Sequence, residues 1–232
     1  MEKKEVGKTN SKRKKRLLSL TIWVVILGAF YFVLTRRGFL IPLSDVPSFL
    51  CFDCELEASV GRLTAGEELL NYERSLTEIL GNRTNLDSVS LLVEKSKYRL
   101  TVFYGGEPIK SYPVVFGGNP EGDKLYEGDR KTPEGIFRVR DLYPHPTWSK
   151  FIWLDYPTPV SWRKHFKAKL GGEIDFSLPI GGEIGIHGVP SGGDVLIDEG
   201  SNWTLGCVSL KNRDVDEIYQ FVKAGTVVEI VF

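Results

Sequence analysis

Ser88-Val89-Ser90-Leu91-Leu92-Val93-Glu94-Lys95-Ser96-Lys97-Tyr98-Arg99-Leu100-Thr101-Val102-Phe103-Tyr104-Gly105-Gly106 decides the fold class of this chain. Val89–Val93 and 98–104 are rich in β-branched and aromatic residues, which suit a pleated, half-buried surface. The charged run 94–97 separates them, and Gly105-Gly106 is a turn signal, so the stretch predicts two strands and a reversal. The same texture continues outward. Residues 111–116, 136–139, 183–189, 207–210 and 226–232 each predict a short strand. Asn212 is the expected cap of a late helix, with Asp214, Asp216 and Glu217 in its first turns, running to about residue 223 and stopped by Gly225. There is no internal repeat. With 24 glycines and 12 prolines punctuating the chain, the pattern predicts a mainly β fold, an antiparallel sandwich or partly open barrel with one late helix.

Upstream of residue 88 the character differs. Residues 1–16 form a basic tail whose eight lysines and arginines run from Lys3 to Arg16, against Glu2 and Glu5 alone, although the whole chain has a formal net charge of +0. Residues 17–34, LLSLTIWVVILGAFYFVL, contain no charge. Eighteen helical residues span roughly 27 Å, close to the hydrocarbon thickness of a bilayer. A cleaved signal peptide is the rival reading, but the run is long and no small-residue cleavage pattern precedes Arg36-Arg37. An uncleaved membrane helix is expected, with the basic tail in the cytoplasm and everything beyond it facing the periplasm or the cell exterior. Beside such a span, a basic tail reads as a topology signal rather than a nucleic-acid arm. Residues 35–87 are expected to form a tether with a short amphipathic helix over 66–80 closed by Gly81, and 88–232 the functional domain.

Three cysteines and three histidines carry the candidate chemistry. Cys51 and Cys54 form a C-x-x-C. It suits a local disulfide, unpaired thiols, or half of a metal or redox site, and no second pair completes a zinc set. Cys207 is the odd cysteine. His145 lies between prolines and His165 in a basic patch, so both read as surface residues. His187 ends the apolar run 184–186 and is followed by Gly188. Strand ends opening into loops are where rigid scaffolds present reactive groups. Cys207 is placed similarly, after Gly206, and a cysteine beside an imidazole is the minimum set for acyl transfer through a thioester. Trp148, Phe151, Trp153, Tyr156 and Trp162 are either ordinary packing or the lining of a groove.

His187-Gly188, a loop, then Thr204-Leu205-Gly206-Cys207-Val208 resembles the catalytic domain of the L,D-transpeptidases, the YkuD family, and in particular its membrane-anchored subgroup. Glu127-Gly128-Asp129-Arg130-Lys131-Thr132-Pro133-Glu134-Gly135 is similar to the run that opens a strand in that subgroup, and residues 214–219 and 225–228 to its closing helix and strand. The resemblance covers about residues 88–232. It implies that Cys207 is the nucleophile, that His187 is its base, and that the Gly188 carbonyl orients the imidazole. It also implies that backbone amides around Gly206 and Cys207 receive the oxyanion, with Thr204 and Ser209 shaping the substrate site. The implied substrates are peptidoglycan stem peptides, joined by transpeptidation or cut by water, or a wall-linked lipoprotein that is released. That chemistry requires no metal or organic cofactor. Leu205 and Ser209 depart from the more polar residues of many members, which leaves the direction of reaction open. A sortase would carry a longer gap between His and Cys, and papain-like enzymes place Cys before His. A non-catalytic wall-binding module would lack one of the pair.

Overall fold

The computed structural model describes residues 3–51, 69–83 and 85–232, with residues 3–17 described through their backbone alone. Helix α1 runs over Lys3–Arg36. Its Leu18–Arg36 portion is long and apolar enough to cross a membrane, and none of it is buried against the protein. A short helix α2 (Val46–Leu50) follows, and then α3 (Leu76–Leu80). The helix expected over 66–80 therefore begins, among the described residues, only at Leu76. Ser75 and Glu78 form a reciprocal capping box there, which satisfies the first free N–H groups and fixes the start. Gly81 closes it, as the sequence predicts. Leu76 and Leu80 are buried in the main core, so this part of the predicted tether packs on the β domain. Cys51 is held in a disulfide. Its expected partner Cys54 lies outside the described residues.

Eight strands form one curled sheet. They are β1 (Val89–Glu94), β2 (Arg99–Tyr104), β3 (Glu107–Pro113), β4 (Gly135–His145), β5 (Ser149–Leu154), β6 (Gly185–His187), β7 (Val208–Ser209) and β8 (Val227–Val231). Their order is β3-β2-β1-β8-β4-β5-β6-β7. The β1–β2 hairpin pairs Val89 with Tyr104 and Glu94 with Arg99, and Tyr98 takes a left-handed conformation at the reversal. Most pairings are antiparallel; β1–β8 and β6–β7 are parallel. Strand β4 is long enough to serve both halves. Its first residues pair with β8 and its later ones with β5. The chain leaving β3 then crosses to the opposite edge, where Val115 bridges Ser209 and Gly117 bridges Thr204. The sheet is therefore nearly closed, which covers the edges it would otherwise expose. A core of Leu91, Val93, Val102, Phe116, Phe137, Ile152, Ile186, Val208, Val228 and Ile230 fills it.

The late helix α6 covers Asn212–Tyr219, with Val215 and Ile218 buried. Asn212 does not cap it. The N-cap is Lys211, without a side-chain hydrogen bond, because the Asn212 side chain reaches back to accept from Val189 N at 3.0 Å. Two further helices, α4 (Pro159–Leu170) and α5 (Val195–Asp198), were not foreseen. Thr158 caps α4 through Ser161 N, and Pro159 opens it. Its face buries Trp162 and His165, so His165 is a core residue, its Nδ1 2.6 Å from Leu125 O.

Candidate active site

The parallel pairing of β6 and β7 sets His187 opposite Ser209. Cys207 stands one residue before β7, and continuing the alternation of side chains back from Ser209 turns it towards the His187 face. At about 3.3 Å per residue along and 4.8 Å across, the ideal offset is about 8 Å between Cα atoms, a distance two side chains can bridge. Cys207 is a free cysteine, partly exposed. His187 is almost fully buried.

The imidazole is held from all sides. Nδ1 lies 2.7 Å from the Gly188 carbonyl oxygen, to which it donates when that nitrogen carries the proton, leaving Nε2 free. The same carbonyl accepts the Ser209 hydroxyl at 3.2 Å. Trp148 stacks on the ring at 4.4 Å between centroids, Phe151 lies parallel at 5.8 Å, and Trp203 meets it edge-on at 5.6 Å. His145 stacks on Trp148 at 4.3 Å and accepts from Thr147 N and Trp148 N through Nδ1. The expected surface residue His145 is thus half-buried in the wall of the site. Of the aromatic cluster, Trp148 and Phe151 flank His187. Tyr156 and Trp162 are core residues, and Trp153 lies under Arg140 at 4.5 Å.

Backbone geometry at Gly188 is demanding. A Cβ there would stand 2.1 Å from Asn212 Oδ1 and 2.6 Å from Trp148 O. Only glycine admits this approach, which lets Asn212 bind Val189 N immediately after the Gly188 carbonyl.

The cysteine loop is a self-bonded turn. Thr204 Oγ1 donates to Cys207 O at 2.7 Å and accepts from Gly206 N at 3.2 Å. Gly206 has φ +142°, and a Cβ on it would meet Lys131 O at 2.7 Å, so the loop rests on the backbone of residues 129–134. That support is braced from within. Asp129 accepts from Leu125 N, Tyr126 N and Lys131 N and pairs with buried Lys124 at 2.8 Å. Lys95, fully buried, binds Gly122 O, Thr132 O and Glu134. Thr132 Oγ1 accepts from Gly117 N. Neither lysine's bracing role was legible in the sequence; the register of the charged run 94–97 against a loop some thirty residues on is set only by the fold.

Thr204 and Ser209 were expected to shape the substrate site. Both side chains are buried and engaged internally, Thr204 with Cys207 O and Ser209 with Gly188 O. They hold the loop and the His187–Gly188 peptide in place. Gly206 N–H, expected at an oxyanion, is committed to Thr204, whereas Cys207 N–H makes no hydrogen bond among the described residues. Leu205 projects outward, 72% exposed. Tyr143, missed by the sequence reading, stacks on Phe151 at 5.4 Å, and its phenol is raised by burial and by the charges of Glu183, Asp141 and Cys207.

Cys207 Sγ points at Glu183 O, 3.6 Å away. Glu183 has the left-handed φ of +57°. No hydrogen bond joins Sγ to the imidazole among the described residues. Burial pushes the thiol up to about 11, against weaker help from the Gly185 amide and Lys124. Burial likewise drives His187 down to about 4, opposed by the Gly188 carbonyl. At neutral pH both are uncharged. No group of three or more His, Cys, Asp or Glu suited to a metal occurs among the described residues.

Residues 88–230 match the family of L,D-transpeptidase catalytic domains (YkuD). The chain belongs to that family. L,D-transpeptidase domains are also among the solved structures it resembles. The helical cell shape determining protein Pgp2 from Campylobacter jejuni is 26% identical with a TM-score of 0.47, over 62% of this chain and 47% of that one. Bd1075 from Bdellovibrio bacteriovorus is 21% identical, TM-score 0.45, over 62% and 48%. An L,D-transpeptidase from Mycobacterium smegmatis is 16% identical, TM-score 0.42, over 62% and 59%. This L,D-transpeptidase family member thus spans about half the length of the first two. No curated protein is similar enough to match it.

Proposed function

We propose that this chain is a cysteine acyltransferase acting on peptidoglycan stem peptides, with Cys207 as nucleophile and His187 as base. The supporting observation is a free thiol immediately before β7 and a buried imidazole at the end of its parallel partner β6, the imidazole fixed through Nδ1 to Gly188 O. In this reading the thiol leaves Glu183 O, on which it rests at 3.6 Å, and turns towards Nε2. Because both groups rest neutral, proton transfer accompanies attack: Nε2 takes the thiol proton as sulfur bonds to the carbonyl carbon of the bond between an L- and a D-centre. Cys207 N–H receives the oxyanion. Collapse breaks the C–N bond, and the imidazolium returns its proton to the departing amine, leaving a thioester. An acceptor amine then completes transpeptidation; water would complete hydrolysis of the same bond, and release of a wall-linked lipoprotein is the same chemistry with the lipoprotein's amine as the leaving group. The Trp148, Phe151 and Trp203 rings keep water from the imidazole.

In the same reading, α1 is an uncleaved anchor, residues 1–16 stay in the cytoplasm, and the domain from 88 to 232 faces the wall. Incubating the full chain with peptidoglycan fragments, beside its Cys207→Ala variant, tests the reaction by mass spectrometry. New crosslinked or exchanged stem peptides from the parent alone establish transpeptidation. Shortened peptides establish hydrolysis. Identical products from both chains refute the reading in favour of a binding module.

A further inference from the structure

The segment that follows α1 is bound to the domain rather than hanging free of it. Gly38 is buried, and its carbonyl accepts from Ile180 N at 3.1 Å. Arg163 of α4 donates to the carbonyls of Ser48 and Phe49 at the end of α2. Phe49 meets Phe166 of α4 edge-on at 6.1 Å. These contacts fix the domain to the end of the apolar helix. Arg36 is the last residue of α1, and two residues of chain reach at most about 7 Å. Ile180 therefore lies within one short link of wherever α1 leaves the bilayer.

Around this junction large apolar side chains face outward. Leu43 is 72% exposed, Leu50 63%, Leu170 80% and Phe176 66%, with Phe39 and Leu40 beside them. Leu170 stands one turn beyond Phe166 on the α4 face that meets α2, and Phe176 is four residues before Ile180. Scattered apolar residues on a surface need no explanation, but a cluster at one edge does. Arg36, Arg37 and Lys167 are exposed nearby, as are Glu173 and Asp175, so apolar contact rather than charge dominates the patch.

We infer that the patch formed by Leu43, Leu50, Leu170 and Phe176 rests in the interface of the membrane that α1 crosses, so that the domain is held against the bilayer in one orientation. The occupant is lipid, because the Gly38–Ile180 bond two residues beyond Arg36 brings this side of the domain to the end of α1. The inference rests on reading α1 as a membrane span. Side chains of this kind enter the headgroup and upper acyl region by about 5–10 Å.

The test uses the full chain in phosphatidylcholine–phosphatidylglycerol vesicles, in a Cys207→Ser background, with an environment-sensitive thiol label on Phe176→Cys, Leu170→Cys or Val25→Cys. Spin-labelled lipids report contact. The expected result is that labels at 170 and 176 lose roughly half their fluorescence to a shallow quencher, while the label at 25 responds to a deep one. If the label at 25 is quenched and those at 170 and 176 are not, the span stands and the surface contact is refuted. If the label at 25 is not quenched either, the span reading fails and the inference falls with it.

Discussion

Alkylation of Cys207 as a function of pH reads directly whether the resting site holds a thiol or a thiolate. Burial sets the thiol at about 11 and the imidazole at about 4. At pH 7 about one molecule in ten thousand then carries the thiolate, against about one in a hundred for a thiol at its ordinary value of 9.0. Iodoacetamide reacts with the thiolate. Its rate at Cys207 is therefore expected to be about a hundredfold below that of free cysteine at pH 7, and to rise about tenfold per pH unit from 6 to 9.5 without a plateau. His187→Gln is expected to leave this profile unchanged, since the neutral imidazole does not stabilise the thiolate in the free protein. Stopped-time labelling with intact-mass readout measures both, because Cys207 is a free thiol and Cys51 is held in a disulfide. A rate that levels off below pH 7, and loses that level in His187→Gln, would show a preformed thiolate–imidazolium pair and refute proton transfer coupled to attack.

The remaining expectations concern the supports of the site. Gly188→Ala forces a Cβ against Asn212 Oδ1 and a backbone oxygen; denaturant unfolding should show a loss of at least about 2 kcal/mol, with activity falling further than stability. Lys95→Met leaves Glu134 and the carbonyls of Gly122 and Thr132 without their ammonium partner and should lose about 3–5 kcal/mol, whereas Lys95→Met with Glu134→Leu should recover part of it. His187 is depressed in the folded state, so the unfolded chain binds its proton first as pH falls. Stability should decline between about 6.5 and 4 by about 3 kcal/mol on this account alone, and His187→Gln should flatten that interval in urea titrations. For the same reason the acid limb of kcat/KM should lie near 4, and a limb near 6.5 would contradict the burial of the imidazole.

Much of the fold could be read from the chain, because a period of two and glycine punctuation are local signals. The strands from Val89 to Tyr104, the strand at 227–231 and the apolar part of α1 over 17–34 follow from their own residues; the helix continuing back to Lys3 was not expected. Helix α4 escaped because its basic patch and scattered aromatics masked the apolar spacing from Trp162 to His165. The Thr158-Pro159 pair, an N-cap followed by proline at the first helical position, was the available signal. His187, Gly188, Gly206 and Cys207 were legible as a motif. What holds them was not. Ser209 reaches Gly188 only through the parallel register of β6 and β7. Trp148 covers His187 only because the β4–β5 reversal folds back across β6. Asn212 was read as a local cap, whereas its side chain serves a peptide 23 residues upstream. Each depends on pairing between distant segments, which no single stretch of sequence specifies.

The central claim is that an acyl group passes through Cys207. The most direct test is the intact mass of the full chain after brief incubation with a stem-peptide donor and acid quench. The account predicts an adduct equal to the donor less its departing amine, located on the peptide containing Cys207 and missing from Cys207→Ala. An adduct at another residue, or the same turnover in Cys207→Ala as in the parent, would contradict it.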